Sequence, residues 1–474
     1  MAWSKNYKGL LFATAALGLV IFFWGLGSQS LLSLNEGRRA LVIKEMFSAG
    51  HWLVPTLNGE LYLTKPPLFY WVALFFSSLI GSFSEWTVRL PSAVSALIVV
   101  VVTYRYTFNR FGAFAALFSA QILLMNLGFA MLARRSEIEM LLTALCFSAL
   151  VSALKYLEHP TRKHFLYLSF FLLGLAVLAK GPVAMLFVTL PLVAILFWTK
   201  DTYLKTFLTN SCAWLIFLVV SLSWYLAISY EFGFHIWATI AQHDMWEKMQ
   251  AAEVAKPLLS YAGWIVVDFL FLVVLLAISP IRWIRALTQN TEGKVLLASF
   301  LIPFVVFSLF TNKHAKYLLP IYPVLAVLLG LQLSLIYQAA SEMWRRVILV
   351  LSLAGPLAIA GFYIFAEANI FAYRTAAFPQ FKAWDSTVKL PVYAVNHVDS
   401  RLVFYAKSPI KELKENQLAE MKADAGSFYV LAENDQIDKV AQIADCQIKQ
   451  FKPYLKRKKS LTVFGFGNAC GGVK

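Results

Sequence analysis

Between residues 10 and 365 apolar runs follow one another, and the gaps between them are short and rich in Lys and Arg. A helix needs about 20 apolar residues to cross a bilayer, and backbone inside hydrocarbon must satisfy its own hydrogen bonds. The runs at 10–32, 90–107, 111–133, 138–154, 165–179, 183–198, 207–230, 258–278, 295–310, 317–337 and 347–365 predict about eleven spans. With 59% of the 474 residues hydrophobic and only 14% charged, the chain reads as an all-α polytopic membrane protein. Its formal charge of +16 does not point to nucleic acid, because the cations lie in the gaps, where they orient the chain in the membrane.

Lys5 and Lys8 precede the first run, which places the N-terminus in the cytoplasm. That run is too long for a signal-peptide core and lacks a small-residue cleavage site, so it reads as an uncleaved span. The run at 68–83 is short for a span, roughly 16 residues, and starts at Pro66-Pro67; it reads as a helix along the outer interface. With that helix outside the count, the basic gaps at Arg105 and Arg110, Lys155 to Lys163, Lys200 and Lys205, Arg282 to Lys294, and Arg345 and Arg346 all fall on the cytoplasmic side. The C-terminal tail is then external.

The charged stretch 34–71 breaks the apolar pattern and reads as an external platform, 33–89, within a membrane domain 1–366. Asn35 can cap a helix from Glu36 to Ala49, and Gly50 can close it in a left-handed conformation. The tail, 367–474, is polar and carries alternating segments at Val392–Val395, 402–405 and 428–431, a helical pattern at 436–444 and a strand pair around Lys456-Arg457-Lys458-Lys459. It reads as a small extracytoplasmic α/β domain. The basic turn suits either anionic lipid or glycan, or is a solvated hairpin tip. Cys146 and Cys212 lie in apolar runs as packing residues; Cys446 and Cys470 are a candidate pair in the tail.

Polar side chains concentrate on the external side: Glu36, Arg38, Lys65, Glu139, Lys180, His243, Lys248, Lys316 and Tyr317. Glu139 and Lys180 stand at span ends, where an ionisable group is costly, roughly 2.5–3.5 kcal/mol at a helix centre and less near an end. Cations at a membrane surface suit a phosphate group, and a carboxylate beside them suits activation of a hydroxyl or amine. Together they suit sugar transfer from a lipid-phosphate donor. A transporter or flippase of a polyprenyl-linked or anionic substrate would use similar residues, and residue chemistry alone does not separate the two.

The segments NEGRRALVIKEM and GHWLVPTLNGELYLTKPPLFYW, followed in order by SEWTVRLPSA, EIEMLLTAL, LAKGPVAML, QHDMWEK and KYLLPIYP, resemble the polyprenyl-phosphate-dependent membrane glycosyltransferases. These are the lipid A aminoarabinose transferases and their protein O-mannosyltransferase relatives. The resemblance covers essentially the whole membrane part. It implies the C-type membrane glycosyltransferase fold with about 11–13 spans, an active site at the outer leaflet and an external C-terminal domain.

Carried onto this chain, the resemblance puts the family's opening acidic pair on Asn35 and Glu36 and its arginine on Arg38, with Arg39 beside it. The lysine before Pro-Pro is Lys65, the acidic residue opening the fourth span is Glu139, and the lysine before Gly-Pro is Lys180. His243 is the loop histidine, Lys248 the basic residue after it, and Lys316-Tyr317 the basic-aromatic pair. Two positions depart from the pattern. Asn35 replaces the leading Asp, and an amide cannot act as a base, so that role passes to Glu36 or Glu139, or the chain is a divergent or non-catalytic scaffold. Thr64 replaces an acidic residue proposed as a metal ligand in the aminoarabinose enzymes, so a divalent metal lacks a supporting ligand set and none is assigned.

The expectation is an inverting glycosyltransferase of the bacterial inner membrane. It would move a sugar from an undecaprenyl-type phosphate to a lipid A, other glycan or protein acceptor at the outer face. Arg38, Lys65, Lys180, Lys248, Lys316 and Tyr317 would hold the donor phosphate among membrane lipids.

Overall fold

The computed structural model describes residues 2–240, 242, 256–270, 272–278, 280–423 and 426–471. The chain forms two compact units, one of Met1–Trp24, Leu63–Val72 and Arg89–Ile364, the other of Gly25–Tyr62, Ala73–Val88 and Phe365–Lys474.

The first unit is helical. Among the described residues six helices are long and apolar enough to cross a membrane, or seven with the pair Ala113–Met125 and Leu127–Ala133, which is bent by 69°. That is fewer than eleven, because several apolar runs break into shorter helices. The run at 183–198 divides into Ala184–Phe187 and Thr189–Thr199. The run at 258–278 holds the nine-residue helix Ser260–Asp268 and a 3₁₀ segment Leu272–Ala277, with Leu270 at φ 49° between them. His164–Lys180, at 17 residues, stops where Gly181 takes φ 85°, ahead of Pro182. Leu68–Ile80 has 13 residues, about 20 Å of helix and too short to span.

Burial ranks these helices. The most apolar 18 residues of Ala315–Ala339 are 83% buried and those of Ile138–Glu158 78%, whereas those of Ser211–Phe232 are 28% buried. The first two form the interior, and both carry ionisable residues at one end. Tyr322–Ala339 lies close against Ala113–Met125: a Cβ on Gly330 would stand 2.0 Å from Ser119 Oγ and 2.8 Å from the Ala115 carbonyl. Small residues permit such approach between helices that share no hydrophobic drive in lipid.

In the second unit the platform helix is Leu34–Ala49. Its cap is Ser33, not Asn35: the Ser33 hydroxyl accepts from Glu36 N at 3.1 Å, so the helix starts a residue or two earlier than the Asn35 reading expects. Gly50 ends it at φ 66°. A hairpin of β1 (Thr56–Leu57) and β2 (Glu60–Leu61) turns at Asn58-Gly59, both with positive φ, the geometry an Asn-Gly pair favours. The Glu45 carboxylate accepts from Thr56 Oγ1 at 2.6 Å and Gly59 N at 3.2 Å, tying the hairpin to the helix.

The tail supplies β3 (Val392–Val395), β4 (Lys411–Leu413), β5 (Phe428–Glu433), β6 (Cys446–Phe451) and β7 (Leu461–Phe466), in the order β4-β3-β5-β7-β6. The β3 pairings are parallel, and β7 pairs antiparallel to β5 and β6. Phe428, Val430, Phe464 and Phe466 pack with Leu418 and Val440 as its core. Cys446 and Cys470 are disulfide-bonded, with Cα atoms 5.9 Å apart. The segment 402–405, expected as a strand, lies in the helix Ser400–Tyr405, because Asp399 caps it by accepting from Arg401 N at 2.8 Å.

That short helix holds the platform. Gly37 lies so close to it that a Cβ would be 2.5 Å from Arg401 Cγ. Arg401 donates to the Leu32 carbonyl at 2.9 Å, and Lys44 Nζ donates to the carbonyls of Phe404 and Ala406 at 2.9 and 2.5 Å. Burial pulls the Lys44 ammonium below the ordinary lysine pKa, with neighbouring Glu45 opposing the shift. Tyr405 donates to Glu85 Oε1 at 3.0 Å and accepts from Leu31 N at 3.0 Å.

Candidate active site

In the first unit one cluster joins residues from three elements. Glu137 stands at the N-cap of Ile138–Glu158 and Glu139 in its first turn, where the positive end of the helix dipole favours carboxylates. Ser92 pins the start of that helix, its hydroxyl donating to the Glu137 carbonyl and accepting from Glu137 N, both at 3.1 Å. Lys180 ends His164–Lys180, where the opposite dipole end favours a cation. Lys316 and Tyr317 lie in the 3₁₀ segment Ala315–Ile321.

Lys180 Nζ stands 3.1 Å from Glu139 Oε1, and Lys316 Nζ stands 3.5 Å from the same oxygen and 3.1 Å from Glu137 Oε2. The Lys180 ammonium also lies 4.7 Å from the centre of the Tyr317 ring. The result is an alternating chain, Glu137–Lys316–Glu139–Lys180, with an aromatic face at one end. The carboxylates are sealed, with side chains 4% and 2% exposed, while Lys316 and Lys180 reach solvent at 17% and 18%. An ammonium has three donor hydrogens. Lys180 directs one to Glu139, and Lys316 has two carboxylates beside it, so both retain donor capacity toward an incoming anion.

Glu137 is the member that residue patterns do not single out; its signal is a second acid two positions before Glu139 in SEIE. Arg134 donates to the carbonyls of Ile21 and Trp24 at 2.9 and 2.8 Å and lies 4.1 Å over the Tyr363 ring. Those carbonyls close the first helix, Ala2–Phe23, and a cation is well placed there. Lys65 is half-buried just ahead of Pro66-Pro67.

In the second unit Glu36 and Arg39 lie on the buried face of Leu34–Ala49, with Glu36 fully buried, whereas Asn35 and Arg38 are exposed. Glu36 Oε2 accepts from Leu32 N at 2.7 Å, completing with Ser33 a reciprocal cap at the helix start. His243 and Lys248 lie outside the described residues. Among the described residues no three His, Cys, Asp or Glu side chains gather as a metal site.

Known proteins share both sequence and fold with this chain. Residues 64–224 match the family model of dolichyl-phosphate-mannose-protein mannosyltransferases. An uncharacterized protein of Aquifex aeolicus is 30% identical over 340 residues, covering 68% of this chain and 73% of that protein. The undecaprenyl phosphate-alpha-4-amino-4-deoxy-L-arabinose arabinosyl transferase of Shewanella sediminis is 28% identical over 330 residues, covering 66% of this chain and 57% of the transferase, so the match spans less than two thirds of that enzyme. The crystal structure of ArnT from Cupriavidus metallidurans bound to undecaprenyl phosphate superposes with a TM-score of 0.77 at 19% identity, covering 96% of this chain and 98% of ArnT. The archaeal oligosaccharyltransferase AglB from Archaeoglobus fulgidus follows at a TM-score of 0.59 and 13% identity, covering all of this chain (100%) and 75% of AglB. Sequence similarity over 340 residues and a fold shared along the chain's length agree: the chain belongs to the polyprenyl-phosphate-dependent membrane glycosyltransferase family.

Proposed function

We propose that this chain transfers a sugar from a polyprenyl phosphate, of the undecaprenyl type, to a lipid A, other glycan or protein acceptor at the outer face of the bacterial inner membrane. The observation that carries the reading is the Glu137–Lys316–Glu139–Lys180 chain, whose two partly exposed ammonium groups are held by two sealed carboxylates. Such cations are preorganised for a phosphate, and they stabilise the charge that grows on it as the sugar leaves. The Shewanella relative is named for an undecaprenyl phosphate-linked aminoarabinose, and the ArnT crystal holds undecaprenyl phosphate. Both names support a donor of that class here.

In the proposed step the bond between the anomeric carbon and the phosphate oxygen breaks. The electron pair leaves with the polyprenyl phosphate, and the acceptor oxygen or nitrogen bonds to the opposite face with inversion. The acceptor proton passes to a carboxylate. Glu139 acts as a positioning residue for both lysines, since its Oε1 already faces both ammonium groups. Glu36 is the proposed proton acceptor. Its support is its place beside Asn35, which has no basic atom, and its fixed orientation by Leu32 N. Arg38, Lys65, Lys248 and Tyr317 are assigned to the donor phosphate on the family resemblance; Arg39 and His243 complete the assigned site.

Orientation follows the same reading, with the N-terminus cytoplasmic and the tail, 367–474, extracytoplasmic. The Cys446–Cys470 disulfide supports it, because such bonds persist in oxidising compartments. Mass spectrometry of envelope glycolipids and glycoproteins from cells with and without the gene tests the proposal. A sugar-sized mass lost from one acceptor class on deletion is the expected result; identical profiles would refute it.

A further inference from the structure

The tail hairpin between β6 and β7 carries Lys452, Lys456, Arg457, Lys458 and Lys459, and no Asp or Glu occurs after Asp445. Lys452, Lys456, Arg457 and Lys458 are exposed and Lys459 is half-buried. The hairpin is not a loose tip. Tyr454 at its base is fully buried, packs against the Phe378 ring at 6.1 Å and donates to Glu433 Oε1 at 2.7 Å. Tyr454 N also closes the turn on the Lys459 carbonyl at 2.8 Å.

The hairpin's neighbour locates it. The Arg457 guanidinium lies 5.2 Å over the Tyr373 ring, and Arg374 lies 5.7 Å from the same ring. Tyr373 belongs to Glu367–Thr375, the end of the segment Glu342–Thr375, whose most apolar 18 residues have the highest mean hydropathy among the candidate spans, 2.3, and are only 17% buried. Phe365, 76% exposed, and Ile370, 50% exposed, mark that stretch as lipid-facing. Tyr373 follows Phe365 by eight positions, so it stands at most about 12 Å further along a helix. The headgroup zone and one Debye length, about 8 to 10 Å, cover that distance.

We infer that this basic hairpin, with Arg374, is a docking surface for the phosphate groups of anionic phospholipids in the leaflet beneath it. Charge and position both select that occupant: clustered cations in a segment with no acidic residue of its own, fixed by a stacked arginine to a helix that leaves lipid. Each such cation shifts the contact equilibrium about fivefold near an anionic leaflet. The same unit contains the platform helix, so the contact also steadies the unit that carries Glu36 and Arg38.

The test uses the full-length chain in nanodiscs of phosphatidylcholine alone, or with one third phosphatidylglycerol, at 50 and 500 mM salt. Hydrogen exchange is read at residues 449–460. At low salt, anionic lipid is expected to slow exchange there at least fivefold; high salt is expected to abolish the effect. Substituting Lys456, Arg457, Lys458 and Lys459 by Gln together should remove it. The wild-type comparison of the two lipids stands alone if that variant folds poorly. Equal exchange in both lipids, or lipid-dependent slowing that survives 500 mM salt, would overturn the inference. So would slowing that needs a phosphorylated glycolipid and is absent with phosphatidylglycerol, since the surface would then belong to the acceptor.

Discussion

Lys180→Met is the most informative perturbation of the cluster. The ammonium it removes stands 3.1 Å from a carboxylate whose side chain is 2% exposed. At an effective dielectric of about 20 the attraction at that distance is about 5 kcal/mol before desolvation is subtracted. Lys316 remains 3.5 Å from the same oxygen and compensates in part, so the net loss of stability is expected near 2–4 kcal/mol, just below the range for breaking a buried pair. Glu139→Gln/Lys180→Met removes both charges. It should cost less than the two single changes summed, with a coupling of about 1–3 kcal/mol. Donor binding should behave differently. Loss of one charge-assisted hydrogen bond to phosphate is worth about 1.5–3 kcal/mol, roughly 10- to 150-fold in Kd, and the double variant should bind as weakly as the single one. Thermal melts in detergent give the first quantity and titration with polyprenyl phosphate the second. Additive stabilities would refute the pairing. Wild-type affinity in a folded double variant would remove Lys180 from the donor site.

Four further outcomes follow from the same geometry. Glu36→Gln keeps an acceptor for Leu32 N and should lose roughly a hundredfold or more in turnover; Glu36→Ala removes that acceptor as well and should destabilise by about 1–3 kcal/mol. If Glu36→Gln turns over normally, the carboxylate is a helix cap only. Glu137→Gln should lower donor affinity through Lys316 while sparing Lys180, seen as an increased KM with kcat nearly unchanged. Replacing Cys446 and Cys470 by Ser opens a loop with a sequence separation of 24 and should cost the tail about 3.5 kcal/mol, read by its urea midpoint. Alkaline phosphatase fused after Phe365 should be active and a fusion near Arg110 silent; the reverse would invert the topology.

Much of this arrangement is legible in the residues, and the exceptions have physical causes. Apolar runs and basic gaps announce the helices. They do not announce where Gly181-Pro182 or the positive φ at Leu270 interrupts one. Gly50 marks the end of the platform helix, but its start depends on which of two adjacent polar residues supplies the cap, and Ser33 does so. Alternation at 402–405 suggests a strand, and the Asp399 cap turns it into a helix. Glu139, Lys180 and Lys316 stand out because ionisable groups at span ends are costly. Glu137 looks like an ordinary loop acid until Lys316, far along the chain, is seen beside it at 3.1 Å. Lys44 and Arg401 are likewise far apart in sequence, and nothing local reveals that the tail grips the platform through them.

The proposed reaction makes a new glycosidic bond at the expense of a polyprenyl phosphate sugar. The direct measurement incubates the purified full-length chain, in detergent, with a defined polyprenyl-phosphate sugar and an envelope extract, and follows free polyprenyl phosphate together with acceptor mass. One polyprenyl phosphate should be released for each sugar gained by the acceptor, without a sealed membrane, and both signals should be lost in Lys180→Met. Donor that binds and stays intact, with no acceptor gaining mass, would contradict it.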